Sequence, residues 1–201
     1  MRFFDFLFPP RVDEALLRDV TTDEFLVLMA PRLVSQTRPD TVALLPFSHP
    51  TVRAAIHEAK YHGSEHAFKL LGATLAEYIR DMDEMSQNFL LVPVPLGARR
   101  SKERGFNQIT EVATRTVKEL KIPIDTTLLV RTRETVSQVS LPRHKREENM
   151  RGAFGATRPA NLTCTYLLVD DVLTTGATLQ AAIDALRDAG ATHIIPLALA
   201  H

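Results

Sequence analysis

The sequence predicts an α/β protein built on a doubly wound parallel sheet, with a helical N-terminal appendage. Three observations predict it. From Phe89 onward, apolar runs of strand length alternate with stretches of helical period, the pattern of βα units. The run Tyr166 to Val169 ends in Asp170 and Asp171, then passes through Thr174-Thr175-Gly176-Ala177-Thr178 into a helical pattern near Leu179. Such a strand–loop–helix unit sets ligands at the carboxyl ends of parallel strands. The 201 residues, 45% of them hydrophobic, suffice for one such domain with a full core.

The elements follow in order. Met1 to Pro10 is apolar, broken by Asp5, and too short for a secretory core. It reads as a short docking helix or arm: Phe3, Phe4, Phe6, Leu7 and Phe8 form an apolar patch that covers the chain's own core or, in the alternative, docks a partner. Residues 11–38 look helical: Thr21 and Glu24 fit a capping box, Phe25, Leu28, Met29 and Leu33 recur at helical spacing, and Pro31 kinks or ends the helix. Thr41 to Phe47 reads as a strand. Ser48-His49-Pro50 then opens a helix through Lys60, broken at Tyr61 to Ser64. A second helix runs from Glu65 to Arg80 with Phe68, Leu71, Leu75 and Ile79 inward. After a polar loop come a strand (Phe89 to Val94), a helix (Asn107 to Leu120) and a strand (Pro123 to Val130). Residues 131–160 are loop-rich. Strand Leu167 to Val169, helix Leu179 to Ala189 closed by Gly190, and strand Ile194 to Ala200 complete the chain. This divides the chain into a helical segment, 1–40, and a main domain, 41–201, with its core at 89–201.

Lys+Arg and Asp+Glu balance at 24 each, so overall charge gives no sign of a nucleic-acid binder. Two basic clusters stand out in predicted loops: Arg99, Arg100, Lys102 and Arg104, and Arg131, Arg133, Arg143, Lys145, Arg146 and Arg151. Cys164 is the only cysteine, which excludes an intramolecular disulfide and suits a reducing compartment. No apolar run approaches the ~20 residues of a membrane helix. A cytoplasmic protein without membrane contact is expected.

The chemistry concentrates at the Asp170–Thr178 segment. A loop of small residues entering a helix offers unpaired N–H groups and a positive dipole end to an anion. Thr174, Thr175 and Thr178 add hydroxyls, and Gly176 and Ala177 leave room for a phosphate. Asp170 and Asp171 suit ribose hydroxyls. The loop is read as surface-facing, so Gly176→Val is expected to abolish anion binding with little change in stability.

This segment resembles the phosphoribosyl diphosphate (PRPP) binding motif of the type I phosphoribosyltransferases. Further stretches narrow the resemblance: Val92-Pro93-Val94-Pro95-Leu96 with Arg104-Gly105-Phe106-Asn107-Gln108; Arg131 with Thr135, Gln138 and Leu141; Arg146 with Asn149, Gly152, Ala153 and Phe154; and Lys60 before an aromatic and Gly63. Together they resemble the competence-associated ComF family over roughly residues 42–200. The resemblance implies a type I phosphoribosyltransferase fold that binds PRPP through Asp170, Asp171 and Thr174 to Thr178. It implies a diphosphate loop carrying Gly97, Ala98, Arg99, Arg100 and Lys102, with Mg²⁺ brought by the substrate and touched at most by the two aspartates. Arg131, Gln138, Arg143 and Arg146 would belong to a mobile lid, Arg143 and Arg146 joining the aspartates as catalytic candidates. Phe106, Asn107 and Gln108 are acceptor candidates, although Asn107 equally reads as a helix cap. The chain departs from the family in one respect: residues 11–40 hold no cysteine, where ComF-type proteins commonly carry a zinc module. His49, His57, His62 and His66 do not complete a four-ligand site, so no structural zinc is expected. The acceptor is not legible. The alternative to a transferase is a single-stranded DNA-binding or nucleotide-sensing module of DNA uptake, with a competence helicase-type partner; a homodimer is compatible with either.

Overall fold

The computed structural model describes residues 11–82, 88–133 and 150–201. The arm at 1–10 and the candidates Gln138, Arg143 and Arg146 lie outside the described residues. The chain runs α1 (Val12–Leu17), α2 (Thr22–Leu26), β1 (Arg32–Val34), β2 (Thr41–Leu45), α3 (Pro50–His57), a π-helical turn (Glu58–His62) and α4 (Glu65–Arg80). It continues through β3 (Phe89–Pro93), α5 (Ala98–Arg104), α6 (Gln108–Leu120), β4 (Leu129–Arg131), β5 (Phe154–Ala156), β6 (Thr165–Val172), α7 (Ala177–Asp188) and β7 (His193–Ala200).

The main sheet has the order β1-β2-β7-β6-β3. β2, β7, β6 and β3 are parallel, and β1 is an antiparallel edge. Successive side chains of a strand point to opposite faces, and the apolar half of β6 shows the result. Leu167 and Val169 enter a core with α3, α4 and α6; Tyr166 and Leu168 enter a second core with α7 and β5. A strand covered on both faces reads as an unbroken apolar run, which is why Tyr166 to Val169 stood out in the sequence.

The course of the chain around β3 creates the ligand position. After α6, Ile124 forms a single parallel bridge with Leu91 on one side of β3. The chain later returns as β6 on the other side, pairing Phe89–Pro93 with Thr165–Val169. The order therefore reverses at β3, and the crevice beyond the carboxyl ends of β3 and β6 is the topological switch point.

Several elements differ from expectation. The helix expected over 11–38 is two short helices and a strand. Val20 N–H bonds back to Leu17 O at 3.0 Å, ending α1, and Thr21 and Glu24 form the predicted capping box of α2. Leu33 is 71% exposed; its helical spacing was fortuitous, since Arg32–Val34 pairs with Ala43–Thr41. Part of the 1–40 segment thus belongs to the main sheet. The expected strand Pro123 to Val130 is interrupted: Asp125 Oδ1 accepts from Thr127 N, Thr127 Oγ1 and Leu128 N within 2.9 Å. This Asx-type turn steers Leu129–Arg131 away from the sheet to pair with Phe154–Ala156. Residues 98–104, expected as a loop, are helical. β6 extends through both aspartates rather than stopping before them.

The helix expected through Lys60 gives way at Glu58 to the π turn. Gly63, at φ 60°, closes it. One side of the turn points at the N-terminal segment: Glu58, whose side chain is 1% exposed, receives Arg11 Nε at 3.0 Å and Nη2 at 2.8 Å. The Arg11 hydrogen bonds hold the Glu58 carboxyl below the usual range against the opposing effect of burial.

Candidate functional site

At the switch point lies a cleft of about 540 Å³, walled by α3, the π turn, residues 94–96, the start of α6 and the carboxyl end of β6. Asp170 and Asp171 both line it, and their environments differ. Asp171 Oδ2 accepts from Gln108 Nε2 at 2.7 Å and pairs with Lys60 Nζ at 3.1 Å. Its Oδ1 accepts from Val172 N at 2.7 Å. Burial pushes Asp171 up, but the Lys60 charge and the donors from Gln108, Lys60 and Val172 outweigh it, and the carboxyl titrates below its usual range. Asp170 Oδ1 accepts from Asp171 N at 2.8 Å. Burial, reinforced by the neighbouring Asp171 charge, raises Asp170 to about 7. Environments that drive two adjacent carboxyls apart are a mark of functional sites. Here Asp171 stays ionised while Asp170 exchanges its proton near neutrality.

A closed ring of contacts fixes this arrangement. Gln108 Oε1 accepts from Arg104 Nη1 at 3.1 Å. The Arg104 guanidinium lies 5.0 Å from the centre of the Tyr61 ring, and Tyr61 follows Lys60 on the π turn. Neither Lys60 as the partner of Asp171 nor Arg53, Tyr61 and Arg104 as cleft residues followed from periodicity. The usable signal was a lone lysine and aromatic ahead of Gly63, together with one arginine of the first basic cluster.

The predicted residues divide as follows. Thr174 and Thr178 line the cleft with the aspartates, Arg100, Arg131, Asn107 and Gln108. Thr175, Gly176 and Ala177 line a second cavity of about 740 Å³ with Gln36 and Arg38. Gly97 is the N-cap of α5, and Arg99 pairs with Glu103 at 2.8 Å. Gly97, Ala98, Arg99 and Lys102 are not among the cleft-lining residues, so of the expected diphosphate loop Arg100 alone faces it. Helix formation turned the others away. Phe106 is no stacking face: its ring meets Phe68 edge-on at 5.8 Å, and a Cβ on Gly63 would lie 3.2 Å from it. Asn107 is committed, accepting from Ile109 N at 3.2 Å as the cap of α6 and donating to Val94 O at 3.0 Å. Arg131 stacks on Phe154 at 5.3 Å.

A family model described as the phosphoribosyl transferase domain matches residues 110–200. Competence protein F of Haemophilus influenzae is 34% identical over 107 residues, covering 52% of this chain and 46% of that protein. DNA utilization protein YhgH of Escherichia coli K12 is 31% identical over 148 residues, 72% of this chain and 65% of the relative. The resemblance to the ComF family is borne out. The chain aligns with about half of Competence protein F and just under two-thirds of YhgH. Adenine phosphoribosyltransferase of Leishmania tarentolae overlays with 16% identity and a TM-score of 0.44, covering 84% of this chain and 79% of that one, a likeness too slight to decide the fold alone. The match at 110–200 takes in β6, the Thr174–Thr178 loop and α7 but not the π turn.

His57 and His66 find partners within the fold, whereas the buried His49 Nδ1 has none among the described residues. His57 Nδ1 pairs with Asp13 at 2.8 Å, and His66 Nε2 lies 3.0 Å from the carbonyls of Leu17 and Val20. His57, Glu58 and His62 bring ligand atoms within 4.8 Å of one another, but both oxygens of Glu58 already face Arg11. Cys164 is buried, which pushes its thiol up and suits a passive core residue. No helix among the described residues is long and apolar enough to cross a membrane.

Two predictions follow from the carboxylates and the loop. Gly176 has φ 77°, and a Cβ there would lie 2.4 Å from Gln36 O. The loop is therefore packed against the chain rather than surface-facing, and the expectation that its substitution spares stability is overturned. Gly176→Ala should cost more than about 1 kcal/mol in urea unfolding; an unchanged midpoint would mean the contact with Gln36 is dispensable. Asp170 titrates at about 7 when folded against about 3.9 unfolded. Its contribution is full below about pH 4, is lost progressively as pH rises through about 7, and does not return above that. Asp170→Asn should therefore raise the melting temperature relative to the parent distinctly more at pH 8 than at pH 5. Equal shifts at both values would argue against the raised pKa.

Proposed function

We propose that this chain binds PRPP with Mg²⁺ in the cleft and transfers its phosphoribosyl group to an acceptor, in a role tied to DNA utilisation. The observation that carries the reading is the split carboxylate pair at the switch point, beside Thr174, Thr178 and the start of the twelve-residue α7. Thr174 and Thr178 with the α7 N–H groups suit the 5′-phosphate. Asp170 and Asp171 suit the ribose hydroxyls, and Arg100 the diphosphate. Among the described residues Asp170 accepts only from the Asp171 backbone, so its second oxygen can take a hydroxyl or a water of hydrated Mg²⁺. When bound, Mg²⁺ would neutralise the departing diphosphate.

The acceptor nitrogen supplies an electron pair to C1 of the ribose. The C1–O bond breaks, diphosphate leaves with its pair, and any proton on the nitrogen passes to water. Asp170 and Asp171 stabilise the positive charge that develops on the ribose. A ribose hydroxyl on Asp171 competes with Lys60, and the released ammonium is then free to meet diphosphate oxygens. In calorimetry, PRPP with Mg²⁺ should bind the parent, and Asp171→Asn and Lys60→Ala should each weaken it about tenfold or more, the size of a charge-assisted contact. No binding up to millimolar ligand would sink the reading.

The names of the relatives, Competence protein F and DNA utilization protein, favour a second reading in which the chain binds single-stranded DNA. The cations Arg53, Arg100 and Arg104 beside Tyr61 are its best footing. Oligonucleotide affinity should then fall steeply with salt and drop when Arg100 and Arg104 are neutralised. A salt-independent affinity, or none at low salt, removes this reading.

A further inference from the structure

We infer that the wall of the cleft built by α3 and the π turn is the acceptor site, and that it takes a planar acceptor bearing a negatively charged group. The inference rests on the PRPP reading. With the 174–178 loop, the aspartates and Arg100 assigned to PRPP, this side of the cleft presents Phe47, Arg53, Ile56, His57 and Tyr61, with Arg104 beside them. These residues share two properties that PRPP does not use.

The first is a flat apolar surface. Ile56 is 5% exposed and Phe47 packs against the core, so both are fixed in place. Tyr61 is 55% exposed, although two neighbours orient its ring. The guanidinium of Arg104 lies 5.0 Å from its centre and the His57 ring 4.7 Å. A ring that is oriented yet uncovered is prepared to stack a planar ligand.

The second is an uncompensated charge. Arg53 stands three residues before Ile56, on the same helix face. Arg11, Arg80, Arg99, Arg115 and Arg158 each pair with a carboxylate, and Lys60 pairs with Asp171. Arg53 pairs with none among the described residues. A neutral heterocycle on this wall would leave the guanidinium without a counter-charge. A ring carboxylate would meet it bidentately.

The test uses the full chain with Mg²⁺ and PRPP. Nicotinate and orotate are compared with their uncharged counterparts nicotinamide and uracil, and both binding and diphosphate release are read. The acids should show apparent affinities about tenfold higher, as one charge-assisted hydrogen bond gives. Arg53→Gln should erase that preference, and Tyr61→Ala should weaken all four compounds together. PRPP affinity is read in the same titrations. If PRPP binds but acids and neutral rings are equivalent, or neither acid binds, or the preference survives in Arg53→Gln, the acceptor assignment is wrong and the PRPP site stands. If PRPP itself does not bind, both fall. An oligothymidylate that binds through Arg53 and that the acids fail to displace would give this wall to nucleic acid and overturn the inference.

Discussion

The pairing of Asp171 with Lys60 and Gln108 is the constraint on which the site depends. A carboxylate at the end of a central strand, 9% exposed, is costly unless charge and hydrogen bonds meet it. Gln108 comes from the first turn of α6 and Lys60 from the π turn. Satisfying one side chain therefore fixes three elements relative to one another and shapes the cleft between them. With Asp171 held ionised, Asp170 lies beside a permanent negative charge, and that proximity adds to burial in lifting it to about 7. The two aspartates are unlike because one of them has the partners.

The N-terminal segment is bound into the same arrangement. Arg11 clamps Glu58 on the far side of the π turn from Asp171. Gln36 closes on Gly176 of the Thr174–Thr178 loop, and Gln180 Oε1 of α7 accepts from Arg38 N at 2.7 Å. β1 joins the sheet edge. A segment that reads as an appendage by composition thus buttresses both halves of the site, without the thiolates that a metal module would bring.

The legible parts of the fold were those governed by local period and by capping. α4 was found with its inward residues Phe68, Leu71, Leu75 and Ile79 because they recur at helical spacing and all are buried. The capping box at Thr21 and the Asn107 cap were equally local. What the sequence hid depends on three dimensions. Leu33 mimicked a helix position while belonging to an edge strand. Arg99 and Arg100 are adjacent, yet Arg100 reaches the cleft and Arg99 pairs outward with Glu103, a distinction that needs the α5 helix to be known. The aspartates were found because the motif is contiguous. Lys60 lies more than a hundred residues before Asp171, and no pattern along the chain connects them.

The π turn has a further consequence for how this segment tolerates change. It widens one helical turn so that Glu58 faces Arg11 while Lys60 faces Asp171. Were these five residues to relax into an α-helix, each would advance by about 100° instead of the smaller step of the wider turn, and Lys60 and Tyr61 would rotate relative to Glu58. Within Glu58–His62, pitch itself is the constrained quantity: a substitution can be absorbed one contact at a time, whereas a change of helical pitch disturbs both sides of the turn at once.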